Sequence, residues 1–256
     1  MKIAVSGKGG VGKTTLTSLL AYAFAAEGYQ VMAIDADPAP CLGDALGFPR
    51  ELVQALTPIA DMHELIHERT GSQPGTYGGI FKMNPRVDDI PDKFSANYRG
   101  IKLLELGAVK QGGAGCICAE SVLLKQLVST ILLQRNEVVL MDMYAGVEHL
   151  GRATSDMVDA LLVVAEPTAR SLGTAAQIKQ LAKDLKIETI YLVGSKVQSQ
   201  ADREFIAANS PGLPVIGYLS MDQAVLQADR EHKSAYDLSP TLVSETKAIV
   251  DALKQK

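Results

Sequence analysis

The chain has 256 residues, 47% hydrophobic and 21% charged, which is ample for a large core and excludes disordered, fibrous and collagen-like classes. Its 25 Lys and Arg against 29 Asp and Glu leave a net charge of −4, so no global basic field exists to recruit nucleic acid. Three cysteines, Cys41, Cys116 and Cys118, fit a reducing compartment better than a disulfide scaffold; with no leader pattern before the first strand and no long apolar run, the expectation is a cytoplasmic protein that touches neither membrane nor nucleic acid.

The apolar run 2–5 predicts a first strand, and the period of 14–27 predicts a helix after it. Between them lies Gly7-Lys8-Gly9-Gly10-Val11-Gly12-Lys13-Thr14-Thr15, a G-x-x-x-x-G-K-T phosphate loop in the strand–loop–helix context this motif needs. Glycines let backbone N–H groups turn inward around phosphates, and the helix dipole favours the same anion. Lys13 is therefore expected to reach the β- and γ-phosphates of ATP, and Thr14 to ligate Mg²⁺. The second strand, 31–34, runs into Asp35 and Asp37-Pro38, two carboxylates at the strand end where open α/β sheets place ligands. Asp35 is expected either to support Mg²⁺ through water or to hold the loop. Cys41 reads as a small buried or half-buried residue.

His63-Glu64-Leu65-Ile66-His67 satisfies H-E-x-x-H, but no motif elsewhere offers a third zinc ligand, so a surface helix with two incidental histidines is expected. Residues 71–97 sustain neither period and read as an irregular insertion. After a strand at 102–106, the glycine-rich run 112–115 leads into Cys116-Ile117-Cys118 at the start of a helix, 120–134. Thiolates at a helix N-terminus suit a soft divalent metal, Ni²⁺ or Zn²⁺. Two sulfurs cannot close a tetrahedral site, whereas a homodimer supplies four on its axis; burial of two unrelated thiols is the competing reading. The strand 138–141 ends in Asp142, a Walker B carboxylate for Mg²⁺ through water, and Gly146 completes D-x-x-x-G, offering an N–H to the γ-phosphate. Strands at 160–165, 189–193 and 215–218 alternate with helices at 171–185, 201–209, 223–231 and 241–254. Ser195 and Lys196 follow the 189–193 strand where a base-reading loop belongs, and the loop from Leu219 to Asp222 is expected to cover the other side of the base. These elements predict one α/β P-loop NTPase domain over 1–256, with a mostly parallel sheet of about seven or eight strands covered by helices on both faces.

Lys8-Gly9-Gly10-Val11-Gly12-Lys13-Thr14 resembles the deviant Walker A sequence of the SIMIBI class, which includes the MinD, ParA and NifH families. The resemblance implies that Lys8 crosses a dimer interface to the partner's nucleotide and that Asp37 orients the attacking water. It also implies an asparagine where Ser195 stands. Lys82-Met83-Asn84-Pro85 with Asp92, Gly115-Cys116-Ile117-Cys118, and the stretch 142–152 together resemble the CooC-type ATPases, over residues 1 to about 230. That resemblance implies nickel delivery to a carbon monoxide dehydrogenase, coupled to ATP hydrolysis and dimerisation. Tyr144 departs from the glutamate common at its position in that family. Two other readings stay open: a MinD- or ParA-type positioning ATPase, although the tail 247–256 lacks aromatic membrane anchors, and a NifH-type reductase with a [4Fe–4S] cluster on the dimer axis.

Overall fold

The computed structural model describes residues 1–72, 82–107, 119–134, 137–144 and 158–255. Runs that are apolar on both faces become the interior of one sheet, β1 (Lys2–Gly7), β2 (Val31–Ala36), β4 (Ile101–Glu105), β5 (Val138–Met143), β6 (Ala160–Ala165) and β7 (Ile190–Val197), with the half-buried β8 (Val215–Ser220) at one edge. With β3 (Ala96–Tyr98) they form eight strands in the order β3-β4-β2-β5-β1-β6-β7-β8. Every pairing is parallel except β3 with β4. Such a sheet must be covered on both faces. One face packs on α1 (Lys13–Ala26), where Leu16, Leu19 and Leu20 are buried, and on α11 (Pro240–Lys254) through Ile249 and Val250. The other carries α6 (Ala119–Gln134) and α7 (Ala169–Asp184), through residues such as Leu123, Leu127, Leu172 and Ile178.

Among the described residues, the connection between β2 and β3 holds four short α-helices, α2 (Leu42–Ala45), α3 (Arg50–Ala55), α4 (His63–Thr70) and α5 (Ile90–Phe94). The other described α-helices are α8 (Gln200–Ala208), α9 (Ala224–Glu231) and α10 (Ala235–Leu238). Among the described residues no helix is long and apolar enough to cross a membrane.

Two sequence expectations need correction. Residues 71–97 are not wholly irregular, since α5 and most of β3 fall within them. β3 turns back onto β4 through Arg99 and Gly100, both at positive φ (50° and 81°), as a two-residue hairpin requires. A non-glycine residue tolerates that conformation here because the Arg99 guanidinium is tied down: it bonds both Asp237 oxygens at 2.8 and 2.9 Å and stacks 4.5 Å above the Tyr22 ring. The second correction is that Ser195 and Lys196 do not follow β7 but belong to it, because the strand runs four residues further than expected, across a register irregularity against β8.

Candidate nucleotide site

β1 ends at Gly7 and α1 begins at Lys13, so residues 8–12 turn over the carboxyl edge of the sheet. Close packing dictates two of the glycines. A Cβ on Gly7 would lie 2.5 Å from the Val164 carbonyl oxygen, and Gly12 holds φ 98° with Ser195 Oγ only 3.0 Å from where its Cβ would be. Gly12 is the N-cap of α1, yet no side chain caps this helix and no acid occupies its first turn. By contrast, Thr168, Ser199 and Ser239 each cap their helices through a side-chain oxygen. The open N–H groups of α1 therefore form a cradle for an anion. Lys13 is buried beside it with Nζ 3.4 Å from the Lys8 carbonyl oxygen; no carboxylate among the described residues forms a close salt bridge with it, and Asp142 acts on it only at longer range. A buried ammonium without a contacting counter-charge gains when an anion arrives. At the tip of the turn Lys8 is half-buried while Gly9 and Gly10 are exposed. Lys196 reaches back to this tip: its Nζ donates to the Gly10 carbonyl at 2.5 Å and lies 3.6 Å from Glu166.

Three carboxylates stand abreast next to the turn. Glu105, Asp35 and Asp142 occupy matching register positions on β4, β2 and β5, and all are buried. Asp142 Oδ2 accepts a 2.6 Å bond from Thr14 Oγ1, while its Oδ1 is buried without a partner among the described residues. Burial pushes this carboxyl up to about 7, with the Thr14 bond opposing and Asp35 adding to the rise. A hydroxyl and a carboxylate with an unused lone pair beside an anion cradle fit Mg²⁺, which takes oxygen ligands and keeps several waters. Asp35 has a different set of contacts. Its oxygens accept the N–H groups of Asp37 (3.0 Å), Cys41 (2.9 Å) and Leu42 (2.8 Å), so loop 37–42 is wrapped around it. Burial still raises its carboxyl more than these bonds lower it. Asp37 is half-buried on that loop, and its Oδ1 accepts from Ala39 N at 2.9 Å.

The expectation that Cys41 is buried or half-buried is corrected: the residue is exposed at the N-cap of α2. Its sulfur nevertheless faces inward, 3.6 Å from Thr14 Oγ1, and desolvation pushes the thiol up to about 11, the Thr14 bond opposing and the aspartates adding.

On the far side of Gly12 a cavity of about 190 Å³ is lined by Gly12, Thr15, Ser195, Lys196 and Leu219, together with Met221, Leu226 and Leu242. It is walled mostly by apolar groups and opens next to the anion cradle, which is the arrangement a purine base attached to phosphates requires. The loop can cradle an anion, Thr14 and Asp142 can hold a cation, and the cavity can hold a base.

The sequence model of the CobQ/CobB/MinD/ParA nucleotide binding domain matches residues 2–235. The chain belongs to this family. It is a P-loop ATPase of the MinD/ParA kind, and its fold agrees: MinD of Aquifex aeolicus superposes with a TM-score of 0.71 at 20% identity, covering 100% of this chain and 98% of that one. Sequence similarity is higher elsewhere. The carbon monoxide dehydrogenase accessory protein CooC of Rhodospirillum rubrum is 48% identical over 256 residues, 100% of this chain and 97% of that protein. An uncharacterised ATP-binding protein of Methanocaldococcus jannaschii is 45% identical over 232 residues, 90% of this chain and 88% of that one.

Within this MinD/ParA-type site the structure brings together Lys8, Gly9, Gly10, Val11, Gly12, Lys13, Thr14 and Thr15 with Asp35, Asp37, Asp142, Ser195, Lys196 and Leu219. Gly146, Cys116 and Cys118 lie outside the described residues. Tyr144, the departure noted in the sequence, is 54% exposed just beyond β5. His63 and His67 are exposed on α4, which packs through Leu65 and Ile66, and no group of three His, Cys, Asp or Glu among the described residues is placed to hold a metal ion. Three features escaped sequence reading: the Lys196 bond to the phosphate loop, the buried Glu105, and Leu226 and Leu242 as cavity walls. Only Leu242 left a signal, since Ser239-Pro240 is a helix-start pattern that places it in the first turn of α11.

Proposed function

We propose that this protein is an ATP-driven accessory factor that delivers nickel to a carbon monoxide dehydrogenase. The observation that carries the client assignment is the 48% identity across the whole chain to the CooC accessory protein. Thr14, and Asp142 through water, would hold Mg²⁺, which would supply charge neutralisation at the phosphates. Lys13 and the N–H groups of Gly10 to Thr15 bind the phosphates, Ser195, Lys196 and Leu219 surround the base, and Asp37 orients the water that attacks the γ-phosphate. Gly146 senses that phosphate through its N–H. Two copies close face to face over two nucleotides, each Lys8 reaching the partner's ATP. Cys116 and Cys118 of both subunits take Ni²⁺ as cargo through four thiolates, and hydrolysis to ADP and phosphate reopens the dimer. The protein works in the cytoplasm, without membrane or nucleic-acid contact.

The test is light scattering with metal analysis, in the presence of Mg²⁺ and a non-hydrolysable ATP analogue. Wild type is expected to run as a dimer holding about one Ni²⁺ per two chains, as four-thiolate ligation requires. Cys116→Ser/Cys118→Ser should lose the nickel, and Lys8→Ala should bind nucleotide yet stay monomeric. Undiminished nickel in the double variant would remove the metal assignment. Absorbance from an iron–sulfur cluster after anaerobic purification would replace it with the reductase reading.

A further inference from the structure

The residues lining the base cavity on the β8 side belong to a short stretch, Leu219 to Leu226, whose shape is imposed from elsewhere. β8 lies directly on α11: a Cβ on Gly217 would come within 2.4 Å of Ile249 Cγ1. Where β8 ends, Glu245 of α11 takes hold of Ser220 with both oxygens, accepting its N–H at 2.8 Å and its hydroxyl at 2.6 Å. The Glu245 side chain is only 16% exposed, and Arg203 of α8 approaches it at 3.7 Å while lying 5.3 Å above the Tyr218 ring. Two residues further on, Asp222 makes a second attachment. Its Oδ1 accepts from Ala224 N at 2.8 Å, which starts α9, and its Oδ2 accepts from the hydroxyl of Ser239, the N-cap of α11, at 2.5 Å. Ser239 in turn accepts from Leu242 N at 3.1 Å, and Leu242 is itself a cavity wall.

We propose that Glu245, assisted by Asp222, is a positioning residue for nucleotide selection: it fixes Leu219 to Leu226 against α11 so that the base end of the cavity is preformed. This rests on the assignment of that cavity to the base. Among the described residues the polar partners of Glu245 are Ser220 and Arg203, neither of them in the phosphate loop, so its effect is expected at the base rather than at the phosphates. Charge-assisted bonds to a backbone N–H and a hydroxyl on one residue hold a loop more firmly than neutral ones, and a preformed pocket binds without an ordering cost.

The experiment is calorimetric titration of the full chain, with Mg²⁺, by ATP and by inorganic tripolyphosphate, which has the phosphates and no base. Glu245→Ala is expected to weaken ATP binding about tenfold and leave tripolyphosphate within about twofold. Glu245→Gln should recover most of the loss, because its amide can accept from Ser220 N and donate to the Ser220 hydroxyl. Equal weakening of both ligands, or unchanged ATP affinity in Glu245→Ala, overturns the proposal. A wild type that binds ATP no more tightly than tripolyphosphate removes the base cavity itself and the proposal with it. Should Glu245→Ala fail to fold, Ser220→Ala carries the same comparison by deleting one bond, with a smaller loss of about threefold for ATP alone.

Discussion

Glu105 is buried against Asp35 and Asp44, and none of the described residues gives it a hydrogen bond or an opposite charge. Burial, then the repulsion of those two aspartates, pushes its carboxyl up to about 7 from an ordinary 4.5. The sign of the consequence follows from linkage. Between those two values the folded chain keeps a proton that the unfolded chain has released, so stability falls as pH rises through that window and stays low above it. Thermal unfolding of the nucleotide-free protein should therefore show a higher midpoint at pH 5.5 than at pH 8. Glu105→Gln, which cannot ionise, should narrow that gap chiefly by raising the pH 8 midpoint. An equally wide gap in the variant would mean that Glu105 does not carry the effect. Asp142 titrates in the same direction for the same main reason, burial, so part of the gap should survive the substitution.

At the scale of the elements, the geometry of loop 37–42 depends largely on one side chain. Asp35 gathers three of its N–H groups, and bonds of this kind to a charged acceptor contribute about 1.5–3 kcal/mol each. Asp35→Asn replaces one acceptor oxygen with a donor that faces N–H groups. Amide exchange should then speed up at least tenfold at Cys41 and Leu42 while the buried amides of β2 keep their protection. Unchanged exchange at both positions would show that the loop is held by something else. The elements themselves were legible in the chain to different degrees. The interior strands and long helices announced themselves, because strands covered on both faces must be continuously apolar and long helices keep their period. The short helices α2, α3 and α5 are too brief to display one. β3 was hidden because Ala96-Asn97-Tyr98, half-buried, exposed and half-buried, is too short for its alternation to register, and its turn uses Arg99-Gly100, whose guanidinium is held by Asp237 and Tyr22. The phosphate loop was fully readable, since its chemistry is local. The contact between Ser220 and Glu245 was not, because the two residues lie 25 apart and meet only when β8 packs on α11.

At the scale of the whole molecule, the described residues assigned to nucleotide chemistry sit at one edge of the sheet, around the carboxyl ends of β1, β2, β5, β7 and β8. The phosphate loop, the three carboxylates and the base cavity thus share one surface, and a second copy closing on that surface would enclose both nucleotides at once. The most direct test of nickel delivery is the nickel content and activity of a nickel-free carbon monoxide dehydrogenase after incubation with the nickel-loaded protein. With Mg²⁺ and ATP the client is expected to gain nickel and activity as the accessory protein loses it, and a non-hydrolysable analogue should block the transfer. Equal gain with the analogue, or with free Ni²⁺ at the same concentration and no accessory protein, would contradict ATP-driven delivery.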